Sequence, residues 1–284
     1  MINCRKWLRE WLGRIKSPSA GSHIDFLKKG GIPWTPGYNE YKWKAIQETI
    51  CAKDFGERVS TPRFGYRIDE RVVELPWLLS RLPEGPGVLL DAGSALNHRS
   101  LLVHPKLAEK RLFISTLAPE AWNFCERGVS YVYEDLRQTC FREDFFDWIA
   151  CISTLEHVGL DNTFLYTSDS GKKETDAGAY LPLIQMFRTR LKKGGRLFLS
   201  VPFGRPKNHG WFQVFNGAML DGLSAQFAPA EVQETIFMYG DDRWSKASRM
   251  SAREALCYDI NIDQTAAPDH CAFSRAVACL ELRK

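Results

Sequence analysis

The stretch "VLLDAGSALNHRS" (Val88–Ser100) decides the fold of this 284-residue chain. Its first three residues are apolar and predict a buried strand, and Asp91 and Gly93 follow where a strand turns into a ligand-binding loop. Ala95 occupies the position where a dinucleotide-binding loop carries a second glycine. Since only one of the three usual glycines is present, the stretch predicts a strand and a loop but gives little support for a diphosphate cradle.

Short apolar runs recur on either side of polar or helical segments downstream. They read GVLLDAG, RLFIST, VSYVYED, DWIACIS, GRLFLSVP, TIFMY and AVACLEL. The first five predict a parallel sheet with helices on both faces, and the last two predict an antiparallel finish. The predicted fold class is therefore α/β, a doubly wound, Rossmann-like sheet of seven strands. In such folds ligands bind at the carboxyl ends of the strands, where the strand order reverses.

Composition changes along the chain divide it into three parts. Residues 1–20 predict a basic amphipathic helix with a net charge of +4, equal to that of the whole chain. Residues 21–84 predict a helical N-terminal extension or lid, with helices at Glu40–Lys53 and Asp69–Arg81. Residues 85–284 form the predicted sheet domain, with a polar insertion at about 160–180.

Two interpretations of the amphipathic segment stay open. Residues 1–16 suit the surface of an anionic membrane, since tryptophans alternate with bases at helical spacing. They equally suit packing on their own domain or on a second copy of the chain. The remainder is neutral, which argues against nucleic-acid binding. No apolar run reaches the roughly 18 residues of a membrane span. The eight cysteines are scattered without metal-ligand spacing, which predicts reduced thiols, no metal site and a cytoplasmic location.

Five motifs resemble, in order, those of class I S-adenosylmethionine-dependent methyltransferases. They are VLLDAGSALN, FISTLAPEAWNFCE, YVYEDLRQTCF, FDWIACISTLEHV and RLKKGGRLFLSVP, and together they span about residues 85–202. Any one of these motifs is a weak signal, whereas five in sequence are a strong one. The resemblance implies a seven-stranded methyltransferase sheet and S-adenosyl-L-methionine as the cofactor.

The resemblance also implies a set of cofactor-binding residues, matched position by position. They are Asp91, Ala92, Gly93, Ser94 and Asn97 after the first strand, Thr116 and Leu117 after the second, Asp135 and Leu136 after the third, and Ser153 and Glu156 after the fourth. Thr116 departs from the family, which carries there an acid that holds the ribose hydroxyls. A hydroxyl cannot supply a bidentate carboxylate. Either the ribose is held more loosely, or a nearby residue such as Glu120 completes the contact.

A narrower resemblance concerns the acceptor. DERVVELPWLLSRL, STLEHVGLDN and RAVACLEL are similar to segments of methyltransferases encoded among bacterial surface-polysaccharide genes, such as those for O-antigen or capsule. This implies methylation of a hydroxyl or phosphate of a sugar or glycan, near the inner face of the membrane. The alternatives are methylation of another small metabolite, a nicotinamide-dependent sugar oxidoreductase, and a non-catalytic domain that binds a membrane or partner.

Three residues are candidates for acid–base chemistry at the acceptor. A hydroxyl nucleophile must lose its proton, and histidine is the side chain that most often takes it near neutral pH. His157 follows the fourth strand and is the first candidate, His209 follows the fifth strand and is the second, and Asp161 is a helper to either. His157 also fits a structural hydrogen bond within its loop. Glu156 fits either cofactor binding or the orientation of His157.

Overall fold

The computed structural model describes residues 23–259 and 267–284, so the helix predicted for residues 1–20 lies outside the described residues. Four helices precede the sheet: α1 (His23–Lys28), α2 (Tyr38–Ile50), α3 (Phe55–Val59) and α4 (Arg71–Arg81). Six described helices follow within the sheet domain: α5 (Arg99–Leu102), α6 (Pro105–Ala108), α7 (Thr163–Tyr166), α8 (Tyr180–Arg190), α9 (Gly217–Phe227) and α10 (Arg249–Ala252). None of the described helices is long and apolar enough to cross a membrane.

The strands form one large sheet and a short hairpin. The large sheet contains β1 (Gly87–Ala92), β2 (Lys110–Thr116), β3 (Ser130–Tyr133), β4 (Phe146–Ile152), β5 (Leu191–Pro202), β8 (Glu231–Gly240), β9 (Arg243–Ala247) and β10 (Ala276–Arg283). The hairpin pairs β6 (Lys207–Asn208) with β7 (Gln213–Val214). The order in the large sheet is β3-β2-β1-β4-β5-β10-β8-β9. Strands β1 to β5 pair in parallel, whereas β10 is antiparallel to both β5 and β8.

This topology confirms the predicted doubly wound α/β sheet and its antiparallel finish, but the predicted count of seven strands is wrong. The eighth strand is β9, which forms a hairpin with β8 at the edge of the sheet. Its sequence, RWSKA, contains a single large apolar residue, Trp244. Alternation of that kind is too short to register as an apolar run, and pairing with β8 makes the segment a strand.

Alternate residues of the central strands feed two separate apolar clusters, one on each face of the sheet. On one face Leu89, Ile114 and Ile152 pack with α2 and α4. On the other face Leu90, Cys151 and Leu199 pack with α8 and α9. The period-two alternation of a strand explains this division, since successive side chains point to opposite faces. Both faces are covered, as a largely parallel sheet requires.

The N-terminal extension shares its core with the sheet. Within α4, the apolar residues Val72, Leu75 and Leu78 are almost completely buried and belong to the same cluster as β1 and β4. The segment before α4 is anchored at β9, because the Trp244 amide donates to the Phe64 carbonyl (2.9 Å) and its indole nitrogen donates to the Ile68 carbonyl (2.8 Å). No break in packing therefore separates residues 23–84 from the sheet.

Candidate functional site

The strand order places the site. From β1 the chain moves outward to β2 and β3, and it then returns to the other side of β1 as β4. The carboxyl ends of β1 and β4 therefore leave the sheet side by side while their connections run in opposite directions. Such a reversal opens a crevice at the carboxyl edge, which is the general ligand site of open α/β sheets. The sequence-predicted site residues follow β1, β2, β3, β4 and β5, and all lie along this edge.

Asp91 organises the turn after β1. Its buried carboxylate accepts hydrogen bonds from the backbone amides of Ala95 (3.1 Å) and Leu96 (2.8 Å). Burial raises the pKa of Asp91 to about 7, against the opposing effect of these amide donors. Gly93 has a φ of +106°, and a Cβ at that position would overlap the Thr154 side chain. Asp91 thus fixes the turn through its hydrogen bonds, and Thr154 of the loop after β4 packs directly on the turn at Gly93.

The helix after this turn offers no ready diphosphate site. α5 is a single turn, Arg99–Leu102, and its N-terminal amide at Ser100 is capped by Nδ1 of His98 at 3.3 Å. The His98 ring is itself stacked on Trp43, with ring centroids 3.4 Å apart. Helix N-termini bind phosphate through exposed amides and the summed backbone dipole. A one-turn helix with an occupied cap supplies little of either.

A carboxylate from the β2–β3 connection reaches the β1 turn. Glu120 accepts hydrogen bonds from the Ser94 hydroxyl and from Nδ2 of Asn97, the latter at 2.8 Å. Oδ1 of Asn97 in turn accepts from the Tyr131 hydroxyl (2.8 Å). The Thr116 carbonyl accepts from the Glu134 amide (3.0 Å). Glu120, which the sequence left open as a substitute for the acid missing at position 116, therefore contacts the β1 turn.

Two acids follow β3, and they face different partners. Asp135 accepts from the Arg137 guanidinium, with Nη2 of Arg137 2.6 Å from Oδ2. Although burial raises the pKa of Asp135, these Arg137 hydrogen bonds lower it below its ordinary range overall. Glu134 instead accepts from the Ser115 hydroxyl near the end of β2 (3.0 Å) and from the Cys140 amide (2.8 Å). The sequence match assigned the cofactor contact to Asp135, and it gave no signal for Glu134.

Apolar side chains stand exposed along the same part of the edge. Leu117 after β2, Trp122 in the β2–β3 connection and Tyr133 at the end of β3 are 49%, 55% and 48% exposed. By contrast, Leu136 is partly buried against the apolar cluster that packs with α8 and α9, and Ala92 is fully buried in β1. Isolated exposed apolar residues are ordinary, whereas three beside the predicted crevice suit a flat apolar ligand.

Buried charged residues meet at the end of β4, and some of them belong to α4. Glu74 is fully buried and accepts from Arg71 Nη1 (2.8 Å) and from the Ser153 hydroxyl (2.6 Å). Ser153 has a φ of +41° and begins the loop after β4. Glu156 is 3% exposed, and its Oε2 is buried with no hydrogen-bond donor among the described residues. Burial raises the pKa of Glu156 well above its ordinary range.

His157 is held by a backbone carbonyl. Its Nδ1 lies 2.9 Å from the Trp211 carbonyl oxygen, which can only accept, so this nitrogen carries the proton. Burial lowers the pKa of His157 to about 4, so the ring is neutral at pH 7 and Nε2 holds a lone pair. Nε2 lies 3.9 Å from Oε1 of Glu156, which is beyond hydrogen-bond distance. The structural hydrogen bond that the sequence left open is therefore present.

The other two catalytic candidates lie near His157 but in different settings. The His209 side chain is fully buried, stacked on Phe212 at 4.3 Å between ring centroids, and its Nδ1 is 3.7 Å from the Asp259 carboxylate. Asp161 accepts from the Thr163 hydroxyl (2.6 Å) and forms an ion pair with Lys173 (3.0 Å). Asp161 thus fixes the start of the 160–180 insertion.

Trp211 connects His157 with the residues that surround His209. Its carbonyl holds His157, its ring packs against the rings of His157 and Phe212, and its Nε1 donates to Asp259 (3.0 Å). A cavity of about 530 Å³ adjoins this group at His209, with Arg205, Lys207 and Arg275 also in its wall. The β4–β5 side of the edge is therefore aromatic and partly basic, whereas the β1–β3 side is acidic. Among the described residues, no cluster of histidine, cysteine or carboxylate side chains is arranged to hold a metal ion.

Comparison with known proteins gives distant structural likenesses. No family model and no curated protein sequence matches the chain. It is similar to a Thermotoga maritima S-adenosylmethionine-dependent methyltransferase described as a possible histamine N-methyltransferase, at 15% identity, over 87% of this chain and 95% of that one, with a TM-score of 0.47. It is also similar to Burkholderia thailandensis 1,6-didemethyltoxoflavin-N1-methyltransferase, at 18% identity, over 70% and 72% of the two chains, with a TM-score of 0.41.

Proposed function

We propose that this protein is an S-adenosylmethionine-dependent methyltransferase that acts on a small-molecule acceptor. The observation that carries the proposal is the row of carboxylates at the exits of three neighbouring parallel strands. Asp91 is the penultimate residue of β1, Glu120 follows β2, and Glu134 and Asp135 follow β3. A ligand that spans this edge meets hydrogen-bond acceptors along its length. Such a row suits a ligand rich in hydroxyl, amino and positively charged groups.

S-adenosylmethionine has those groups, and the residues present fit it. When bound, it supplies a methyl group on a positively charged sulfur. The acceptor attacks the methyl carbon in line with the carbon–sulfur bond, and the sulfur leaves. In this arrangement the Asp91-held turn receives the methionine part, and Glu120 receives the ribose hydroxyls in place of Thr116. The acids after β3 receive the adenine amino group, with Leu117 and Tyr133 against the flat ring.

The same row of acids disfavours the nicotinamide alternative. A dinucleotide carries two negative phosphates, and it would meet Glu120 where a phosphate-binding loop offers amides. α5 cannot compensate, because His98 already caps its first turn. Like charges brought within a few ångströms repel, and the repulsion grows as water is excluded.

The acceptor would lie on the β4–β5 side, beside His157 and Trp211. The cavity at His209 extends this side, and Arg205 and Lys207 in its wall suit a sugar that carries an acidic group or phosphate away from the reacting atom. This supports, as part of the proposal, a sugar or glycan acceptor of the surface-polysaccharide type. Contact of residues 1–16 with an anionic membrane is a separate prediction, because these residues lie outside the described ones.

Thermal unfolding with defined ligands tests the cofactor. S-adenosylmethionine and S-adenosylhomocysteine should each raise the melting temperature by several degrees at 100 times their Kd, since ligand bound only to the folded state adds about 2.7 kcal/mol. NAD at the same concentration serves as the control and should give no shift. A shift with NAD and none with either sulfur compound would reject the proposal. Transfer is then tested with methyl-labelled cofactor and a cell-envelope extract, in which label should enter a small or glycan product.

A further inference from the structure

Glu156 differs from every other carboxylate at this edge. Its Oε2 is buried, and no donor among the described residues reaches it. Burying an acceptor without a donor costs about 1–3 kcal/mol, so native structures rarely leave one in place without use. Oε2 therefore marks a position where a bound molecule would supply the missing hydrogen.

The groups that face Glu156 set its charge and its proton affinity. From α4 these are Arg71, whose cation opposes protonation, and Glu74, with Glu70 directly before the helix. From β4 and the loop after it they are Cys151 and His157. Arg71 is already paired with Glu74 at 2.8 Å, so it does not neutralise Glu156 alone. The enclosed site thus holds more acidic than basic side chains. It resists an additional anion and accepts a group that brings a proton.

We infer that Glu156 takes the proton from the acceptor nucleophile, so that the methylated atom belongs to a hydroxyl or amine rather than to a phosphate or carboxylate. The inference rests on the proposed function and narrows its acceptor. The acceptor's O–H or N–H bond breaks, and the proton goes to Glu156 Oε2. The freed lone pair forms the bond to the methyl carbon as the carbon–sulfur bond breaks, and that electron pair stays on the now neutral sulfur.

Glu156 suits this step better than His157. A general base works best when its proton affinity is close to neutral pH. Burial raises the pKa of Glu156 above its ordinary range, whereas it lowers the pKa of His157 to about 4. In addition, Nδ1 of His157 is committed to Trp211, so the ring is well placed to orient the acceptor through Nε2. His157 is therefore a positioning residue for this step.

Glu156→Gln is the variant that tests the inference, and Glu231→Gln is its matched control. Glutamine keeps the shape and one oxygen but cannot take the proton. Glu231 is an exposed glutamate at the start of β8, paired with Arg283 and remote from the site. Turnover is followed with ¹³C-methyl S-adenosylmethionine and the envelope extract, and cofactor binding is measured by calorimetry. Glu156→Asp provides a variant that retains the carboxyl group on a shorter arm.

Glu156→Gln should bind S-adenosylhomocysteine within about threefold of wild type and lose about 10²–10⁴ of kcat, the usual contribution of a general base. Glu156→Asp should recover part of the loss, and its rate should rise with pH at a different midpoint from that of wild type. Glu231→Gln should match wild type. The methyl carbon of the product should show no coupling to ³¹P.

The outcomes separate the inference from the proposed function. If wild type binds neither sulfur compound, or binds them and labels nothing, the methyltransferase proposal fails and takes the inference with it. If wild type transfers methyl groups but the product carbon couples to ³¹P, only the inference is overturned. Full kcat in Glu156→Gln overturns it as well. An unfolded Glu156→Gln is replaced by Glu156→Asp, for which an unaltered pH profile counts against the inference.

Discussion

The two sides of the strand reversal satisfy their carboxylates differently. On the β1–β3 side Asp91, Glu120 and Glu134 each accept at least two hydrogen bonds from the protein. On the β4 side Glu156 has a buried oxygen that no described donor reaches. Fully bonded acids cost little to preorganise and suit binding, whereas an acid left with proton affinity suits chemistry. The difference matches the proposed division of the site into a cofactor half after β1–β3 and an acceptor half after β4.

The largest predicted effect is on the ion pair between Arg71 and Glu74 within α4, whose Glu74 also accepts a hydrogen bond from Ser153 after β4. Arg71→Ala leaves the fully buried Glu74 without its cation, and it removes positive charge near both Glu156 and Asp91. Loss of one partner of a buried pair should lower the free energy of unfolding by about 3 kcal/mol. Urea denaturation measures the loss. Arg58→Ala is the control, since its pair with Glu48 is exposed and should cost less than about 1 kcal/mol. Equal losses in the two variants would show that the Arg71–Glu74 pair contributes no more to stability than an exposed pair.

The second prediction concerns how Asp91 makes the free energy of unfolding depend on pH. The pKa of Asp91 rises from its ordinary 3.8 to about 7 on folding, chiefly through burial. The folded state therefore binds the proton more tightly, and this stabilisation is present below pH 3.8 and lost as the pH rises through about 7. Asp91→Asn removes that titration and weakens one amide bond to the turn, at about 1–3 kcal/mol.

Unfolding free energies measured between pH 4 and pH 8 should accordingly fall less steeply with pH in Asp91→Asn than in wild type. Parallel curves for the two proteins would mean that Asp91 does not titrate in this range. Glu126→Gln, an exposed change in the β2–β3 connection, should leave the wild-type slope unaltered.

A smaller effect is predicted for Glu120, which we propose holds the ribose in place of Thr116. Glu120→Gln keeps the size of the side chain but offers one acceptor oxygen to Ser94 and Asn97 and to the ribose. Affinity for S-adenosylhomocysteine should fall about tenfold, equivalent to about 1.4 kcal/mol. Calorimetry measures the change. An affinity equal to wild type would show that the ribose is bound without Glu120, and the comparison between the two sides would lose one of its three bonded acids.

The smallest effect is predicted in the insertion. Lys173 pairs with Asp161 at 3.0 Å, but its side chain is 57% exposed. Lys173→Ala should change the free energy of unfolding by less than about 0.5 kcal/mol, because exposed pairs contribute little. Thermal melting checks this. A loss above 2 kcal/mol would mean that the 160–180 segment stabilises the β4 side of the site. That side would then be more rigid than the unbonded oxygen of Glu156 indicates.

The sequence predicted the parallel strands and the β1 turn because these depend on local signals. A buried apolar run followed by Asp91 and Gly93 specifies a strand and a turn within one short window. β9 was not predicted, because pairing with β8, and not its own sequence pattern, makes it a strand. The sequence left Glu120 open as one alternative, whereas Glu134 reaches the end of β2 through a side-chain direction that spacing does not reveal. The hydrogen bond from Ser153 to Glu74 joins residues 79 positions apart, which no local pattern can anticipate.

The anchoring of the N-terminal extension at Trp244 has a consequence for how this protein can be divided. The indole is 1% exposed, and it is covered by Gly65 and Val72, which belong to the extension. A fragment that began at residue 85 would expose to water this ring and the part of the sheet that α2 and α4 cover. Such a fragment should aggregate when expressed, whereas one that begins at α1 keeps every described contact. Domain truncation should therefore start upstream of residue 23.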